Sequence, residues 1–155
     1  MLRLQPKGFR QRRPDPKIPG QWKWNLYRTR RVLYRFPEVL KAVEKDEVVF
    51  IVEGEKDANT LAKQGFTATT CVNGAMKWRW EYSESLRNAR IVILPDNDLT
   101  GQSHARYVRE QLKGIVKEVF IVELPGLTKK GDVTDWFKNG GDKEQFIDII
   151  KSKIK

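Results

Sequence analysis

Val48-Val49-Phe50-Ile51-Val52-Glu53-Gly54-Glu55-Lys56-Asp57 begins with five β-branched or aromatic residues and then turns acidic. A run of that kind, with no polar alternation, suits a strand buried on both faces rather than a sheet with one wet side. The same change of character recurs twice, in Ile91-Val92-Ile93-Leu94-Pro95-Asp96-Asn97-Asp98 and in Val119-Phe120-Ile121-Val122, which precedes Gly131-Asp132-Val133-Thr134-Asp135. Between the first two runs lies a weaker strand over residues 68–72, after a helix-like stretch at 56–64 and the turn residue Gly65. Residues 101–113 place Ala105, Val108 and Leu112 on one helical face, and residues 143–154 repeat the spacing with Phe146, Ile149 and Ile150. Strands alternating with helices imply right-handed crossovers and an α/β fold, here a four-stranded parallel sheet flanked by helices. In such sheets ligands bind beyond the carboxyl ends of the strands. Glu53, Asn73-Gly74, Asp96 with Asp98, and Pro125-Gly126 all fall there.

Charge divides the chain. Residues 1–45 hold 13 Lys and Arg against 3 acidic residues, while residues 46–155 hold 17 against 17, so the net charge of +10 belongs to the amino-terminal third. Pro14, Pro16, Pro19 and Gly20 lie inside that basic part. The expectation is a basic, aromatic-rich nucleic-acid-binding segment at 1–45 and an α/β domain at 46–155. No apolar run approaches the roughly 20 residues of a membrane span, and the basic start lacks the apolar stretch of a signal peptide, so a cytoplasmic protein with no membrane partner is expected. Cys71 and His104 are the only residues of their types. That excludes an internal disulfide and a zinc cluster, and leaves oxygen ligands for any metal.

In Asp96-Asn97-Asp98 an extended chain turns both carboxylates to one side. Their repulsion raises one pKa or calls for a cation, and a hard divalent ion such as Mg²⁺ or Mn²⁺ takes carboxylate oxygens while keeping waters for substrate phosphates. Glu53, on a neighbouring strand, can share the ion or serve as a general acid or base. Gly54 lets the chain turn into the next helix without a Cβ in the way. Each motif alone also reads as a solvated turn or a helix-start carboxylate.

Together, in this order and spacing, Val52-Glu53-Gly54-Glu55-Lys56-Asp57 and Leu94-Pro95-Asp96-Asn97-Asp98 resemble the TOPRIM domain of bacterial primases, topoisomerases and some nucleases, over roughly residues 46–140. The resemblance implies a Rossmann-like TOPRIM fold, Glu53, Asp96 and Asp98 as catalytic and metal-holding residues, and Mg²⁺ or Mn²⁺ as cofactor. Asp57 matches a position that is often acidic in primases. Asp132-Val133-Thr134-Asp135 is similar, more loosely, to the acidic stretch beyond the fourth strand, which would make Asp132 and Asp135 second-metal or outer groups; Asp132 also reads as a cap for a short helix through Trp136 and Phe137. A topoisomerase needs a nucleophilic tyrosine on a further domain, and this chain has no room for one.

Other candidates lie around the same edge. Gly54, Lys56, Asn73, Gly74 and Lys77 are candidate phosphate or nucleotide contacts, Gly74 because a glycine permits close backbone approach. Asn73-Gly74 is equally a plain turn, and Lys56 equally a solvated helix cation. Trp78, Trp80 and Tyr82 alternate near the site mouth and read as packing groups. His104 reads as a bystander, and Cys71 as a small core residue.

In the basic segment, residues 9–15 and 22–26 can pair as a hairpin across the Pro-rich loop, putting Trp22, Trp24 and Leu26 on one face. A short helix begins near Pro37. Arg10, Arg12, Arg13, Lys23, Arg28, Arg30, Arg31 and Arg35, interleaved with Tyr27 and Tyr34, suit a single strand, whose phosphates meet cations while its bases stack on rings. The alternative packs the Trp residues onto the sheet edge and leaves only the cations in solvent. The segment, running on into Val32-Leu33-Tyr34-Arg35-Phe36-Pro37-Glu38, resembles the linker ahead of the TOPRIM domain in phage- and plasmid-type primase and primase-helicase proteins. A cysteine-rich zinc ribbon usually lies upstream in those, so the chain is expected to be a fragment or a compact relative, with a replicative helicase or a separate zinc-ribbon element as partner. The implied activity is primer synthesis on a single-stranded DNA template from nucleoside triphosphates, in a bacterial, phage or plasmid setting. A TOPRIM nuclease and a non-catalytic nucleic-acid-binding module are the alternatives.

Overall fold

A computed structural model describes residues 2–4, 8–25, 27, 29–71 and 77–154, the side chains of 2–4 and 8–10 excepted. The chain divides into two compact units, Met1–Arg31 and Val32–Lys155.

The first unit is built of two small antiparallel ribbons. β1 (Leu2–Leu4) pairs with β2 (Gly8–Arg10), and β3 (Arg13–Pro14) pairs with β4 (Trp22–Lys23) in the register Arg13 to Lys23 and Pro14 to Trp22. The second ribbon is the hairpin expected from the sequence. It closes through Asp15 N–H to Gln21 O at 2.8 Å, with Gly20 supplying the positive φ of +81° that the turn requires.

The second unit is a four-stranded parallel sheet with helices on both faces. Its strands are β5 (Val48–Ile51), β6 (Thr67–Thr69), β7 (Arg90–Ile93) and β8 (Glu118–Ile121), in the order β6-β5-β7-β8. The unbroken apolar runs are explained by two cores. Val49, Ile51, Ile91 and Ile93 pack on one face, while Phe50, Val52, Val92 and Leu94 pack on the other. The first face is covered by α1 (Phe36–Glu44), α3 (Trp80–Ser85) and α4 (Leu99–Leu112), the second by α2 (Glu55–Lys63), α5 (Val133–Lys138) and α6 (Lys143–Lys153). Among the described residues no helix is long and apolar enough to cross a membrane.

Three differences from the sequence reading have physical causes. The unit boundary falls at 31/32 rather than at the 45/46 charge step, because Leu33, Val39 and Ala42 are buried in the first core and carry α1 with them. The strand expected at 68–72 is Thr67–Thr69, since Thr70 leaves the ladder to accept from Tyr34 N–H at 3.0 Å. Trp78, Trp80 and Tyr82 do not all pack, as their reading as packing groups implied. Residues 80–85 are helical, so Trp80 and Tyr82 point apart: Tyr82 is buried and Trp80 is exposed.

Candidate metal and phosphate site

The chain leaves β5 toward β6 on one side and returns to β7 on the other, so the carboxyl ends of β5 and β7 flank the point where strand order reverses. That is where open parallel sheets leave a crevice. Glu53 lies two residues past β5, and Asp96 and Asp98 follow β7. The structure therefore brings the three residues predicted as catalytic to one place.

Local bonding fixes each of them. Thr70 Oγ1 donates to Glu53 O at 3.0 Å. Asp98 N–H donates to Asp96 O at 2.8 Å, which curls the Asp-Asn-Asp segment. Asp98 is also the N-cap of α4, its Oδ1 accepting from Gly101 N–H at 2.8 Å. That leaves its other oxygen for a ligand. Gly101 allows the first turn of α4 to lie against both acids: a Cβ there would stand 2.5 Å from Asp96 O and 2.5 Å from Glu53 Oε1.

The electrostatics are those of an acidic centre short of positive charge. Burial first, then Glu53, Asp57, Asp132 and Asp98, push the Asp96 carboxyl up to about 7. Burial likewise raises Glu53, helped by Asp98 and Asp57 and opposed by the Asp96 backbone N–H. Glu53 Oε1 is buried without a hydrogen-bond partner. An orphaned carboxylate oxygen is costly unless something satisfies it. The donors are all oxygen, the negative charge is unrelieved, and one buried oxygen lacks a partner, so the residues fit a hard divalent cation. Glu53, Asp96 and Asp98 are the ones that could hold it. Among the described residues no three acidic, histidine or cysteine side chains close around one point; Mg²⁺ ordinarily takes one or two carboxylates and completes its shell with waters and phosphate oxygens.

A second acidic group lies between α2 and α5. Asp57 is buried and accepts from Thr134 Oγ1 at 2.6 Å, and burial, more than that bond opposes it, raises its pKa. Asp132 Oδ1 accepts from Asp135 N–H at 2.9 Å and Asp135 Oδ2 from Asp132 N–H at 3.4 Å, a reciprocal cap on α5. Lys56 Nζ pairs with Asp132 Oδ2 and lies 3.7 Å from Asp57 Oδ1. Burial works to raise Asp132, but the Lys56 ammonium and the Asp135 N–H hold it below the usual range. Both Asp132 oxygens are thus engaged, and Lys56 is committed to an ion pair, not simply solvated. Gly54 is extended (φ −133°), a conformation open to any residue; what favours glycine is space, since a Cβ would come 3.3 Å from Asp57 Oδ2.

Of the remaining expected contacts, Lys77 is exposed. Asn73, Gly74 and Arg28 lie outside the described residues, as does the Arg10 side chain. In the first unit Arg13 Nε donates to Asn25 Oδ1 at 3.3 Å, Lys23 pairs with Asp15 at 3.3 Å, and Arg30 is exposed while Arg31 is half-buried. The Arg12 guanidinium lies 4.2 Å over the Trp22 ring and 5.7 Å from that of Trp24, with both indoles about half exposed. Arg35 belongs to the second unit, where it pairs with Glu38 at 3.0 Å.

Sequence reasoning missed Asn97 and the cations it positions. Asn97 Nδ2 donates to Leu127 O at 2.8 Å and Thr128 O at 3.0 Å, while its backbone exchanges bonds with Gly131 O and Lys130 N–H, each at 2.9 Å. The residue between the two acids thereby latches the 127–131 loop, with exposed Lys129 and Lys130, beside the site. Nothing in the local sequence signals that contact. Gly101 did carry a signal, a glycine in the first turn of a helix that starts at an acidic motif.

No curated protein sequence matches the chain. A solved structure of the DnaG catalytic core shares the fold, with a TM-score of 0.59 at 20% identity over 78% of this chain; the match spans 39% of that chain. The Toprim domain model matches residues 48–125, from the start of β5 past the end of β8 and across Glu53, Asp96 and Asp98. By that match, which takes in half of its length, the chain belongs to the Toprim domain family.

Proposed function

We propose that the protein is a Mg²⁺-dependent nucleotidyltransferase of the primase kind, synthesising primers on single-stranded DNA from nucleoside triphosphates. The observation that carries this reading is the meeting of Glu53, Asp96 and Asp98 at the strand-order reversal, with the Glu53 and Asp96 carboxyls raised and a buried Glu53 oxygen left unpaired. The fold shared with the DnaG primase core supports it.

Asp96 and Asp98 would hold Mg²⁺, or Mn²⁺, which when bound supplies charge to the triphosphate and the reacting phosphoryl group. The chain's own residues have separate tasks. Asp98 caps α4 with one oxygen and so keeps the other aimed from a fixed backbone. Glu53, partly buried and raised above an ordinary glutamate, suits the transfer of a proton from the attacking 3′ hydroxyl, because a base works best when its pKa approaches the working pH. Lys129 and Lys130 stand where phosphate charge would collect. The ribbon unit, with ten Lys and Arg against Asp15 alone, supplies a cationic surface with exposed indoles for the template.

The test is incubation of the purified protein with single-stranded DNA, labelled nucleotides and Mg²⁺ or Mn²⁺, beside Glu53→Gln and Asp96→Asn. New short strands that vanish in both variants support primase chemistry at this site. Shortened template without synthesis assigns the same carboxylates to a nuclease, and DNA binding indifferent to both substitutions assigns the chain to a non-catalytic module.

A further inference from the structure

Two large apolar side chains of the α/β unit stand in solvent at the same sheet edge as the carboxylates: Trp80, 69% exposed, and Leu99, 83% exposed. Packing explains their location and not their exposure. Trp78 and Tyr82 are buried in the core that covers one whole face of the sheet, from Val49 and Ile91 to Ile51 and Ile93. The helix α3 opens the crossover that leaves the carboxyl end of β6 for the start of β7, which puts its first residues toward the carboxylate side. Trp78 is pinned further, its Nε1 donating to Ser83 Oγ at 2.9 Å. The start of α3 is therefore anchored on that side. Two residues before Tyr82 on a helix, about 200° around, Trp80 faces outward. Leu99 directly follows Asp98 at the start of α4, and the two helices touch.

The flanking charge identifies what would cover this face. Lys77 and Arg79 are exposed beside Trp80, Arg79 sharing its charge with Glu81 through two bonds at 3.0 and 3.2 Å. Lys129 and Lys130 are exposed beside the Asp96–Asp98 loop. Cations around a bare indole match a strand that offers phosphates and an unpaired base together, whereas a duplex keeps its base faces stacked away. We propose that Trp80 stacks one unpaired base of a single-stranded nucleic acid, with Lys77 and Arg79 meeting the adjoining phosphates, so that the strand is held on the carboxylate side of the sheet. This rests on reading that site as one that handles a nucleic-acid strand.

The experiment is equilibrium binding of a fluorescein-labelled single-stranded DNA to the full chain in EDTA, where no metal-dependent chemistry runs, so failure of primer synthesis and failure of this contact are read separately. Trp80→Ala weakens binding roughly 5- to 150-fold, the range for loss of one base–aromatic stack. Trp80→Phe restores most of that loss, and Trp80→Ala leaves the salt dependence unchanged while Lys77→Ala flattens it by about one phosphate's share. Unchanged affinity in Trp80→Ala with an unchanged melting temperature overturns the proposal. So does equal loss in the Ala and Phe variants with a lowered melting temperature, which makes the indole structural, or self-association of the wild type that Trp80→Ala abolishes, which makes the patch a protein interface.

Discussion

Gly101→Ala tests the site's geometry most directly. The added methyl would sit 2.5 Å from both Asp96 O and Glu53 Oε1 and 2.9 Å from Asp96 N, where ordinary contact begins at 3.4 Å. Relief needs a retreat of α4 by about 1 Å or a swing of Glu53, and overpacking of that order costs about 1–3 kcal/mol. Alanine's better helix propensity returns about 1 kcal/mol. Two of the three close atoms are backbone and cannot swing aside, so the overpacking cost lies at the upper end of its range. The net loss, about 1–2 kcal/mol, lowers the melting temperature by roughly 2–8 °C for a chain of this size. Moving α4 also moves the Asp98 cap, because Gly101 N–H is its donor. The Mg²⁺-induced rise in melting temperature should therefore shrink, and any primer synthesis should fall on the order of a hundredfold, as a 1 Å displacement of reacting groups entails. Glu53→Ala removes one of the three close contacts and leaves Asp96 O and N in place. In that background Gly101→Ala should cost less but still cost something. Calorimetric melts of the four proteins with and without Mg²⁺ provide the check. If Gly101→Ala melts at or above the wild-type temperature and keeps its Mg²⁺ response, the close approach of α4 to the acids is wrong.

Asp96 sets a pH dependence. Its carboxyl is raised from 3.8 to about 7 in the fold, so the folded state holds more protons than the unfolded, and stability is full below about pH 4 and falls as pH rises to about 8. Three units at about 1.4 kcal/mol each, halved for the water that still reaches the group, give about 2 kcal/mol, and the raised Glu53 and Asp57 act in the same direction. Denaturant titrations of wild type and Asp96→Asn should converge below about pH 4 and separate progressively from there to about pH 8, and parallel curves across that range would refute this. Lowered Asp132 has the opposite sign, its contribution disappearing as pH falls below the ordinary carboxylate range. Asn97→Ala deletes two donations to the 127–131 loop and should cost about 1–2 kcal/mol, read as faster amide exchange at Lys130 and Gly131; unchanged exchange there would dismiss the latch. For the ribbon unit, removing Arg12 and Arg13 together should flatten the log–log salt dependence of single-stranded DNA binding by about 1.4, and an unaltered slope would remove the template from that unit.

The sheet and the acidic triad were legible because they depend on short-range pattern. Three strands announced themselves as unbroken apolar runs, since alternate residues such as Ile91 and Val92 pack into different cores, and the acids at their ends inherited a location from the topology. Where burial is one-sided the pattern fades. β6 is an edge strand of Thr67, Ala68 and Thr69, and its limits were misplaced by about a residue at one end and more at the other. Of the aromatic triplet read as packing groups, Trp78 and Tyr82 are buried and Trp80 is not, because the six-residue helix that begins at Trp80 turns it away from Tyr82, which the spacing alone did not show. Asn97 was invisible for a different reason: its partners are backbone carbonyls about 30 residues away, and carbonyls carry no sequence signature.

The disposition of cations decides where the edge seeks charge. Five acidic side chains face one another electrostatically there, yet they divide into one group that holds a lysine and one that does not. Lys56 reaches Asp132 and lies near Asp57, so that group holds its own counter-charge and Asp132 ionises readily. Burial raises both Glu53 and Asp96, the field of Glu53 adding to the rise of Asp96 and those of Asp98 and Asp57 to that of Glu53, and Glu53 Oε1 is buried without a hydrogen-bond partner. A fold that neutralises one group with a lysine and leaves the other to repel itself concentrates its demand for a divalent ion on Glu53, Asp96 and Asp98. Lys56→Ala would release Asp132 and Asp57 from their cation, raising their pKa values and making a second ion welcome where the wild type provides for it internally. The lysine is thus the feature that would separate one strong metal locus from two, and the stoichiometry of Mn²⁺ bound by wild type and by Lys56→Ala is what that difference turns on.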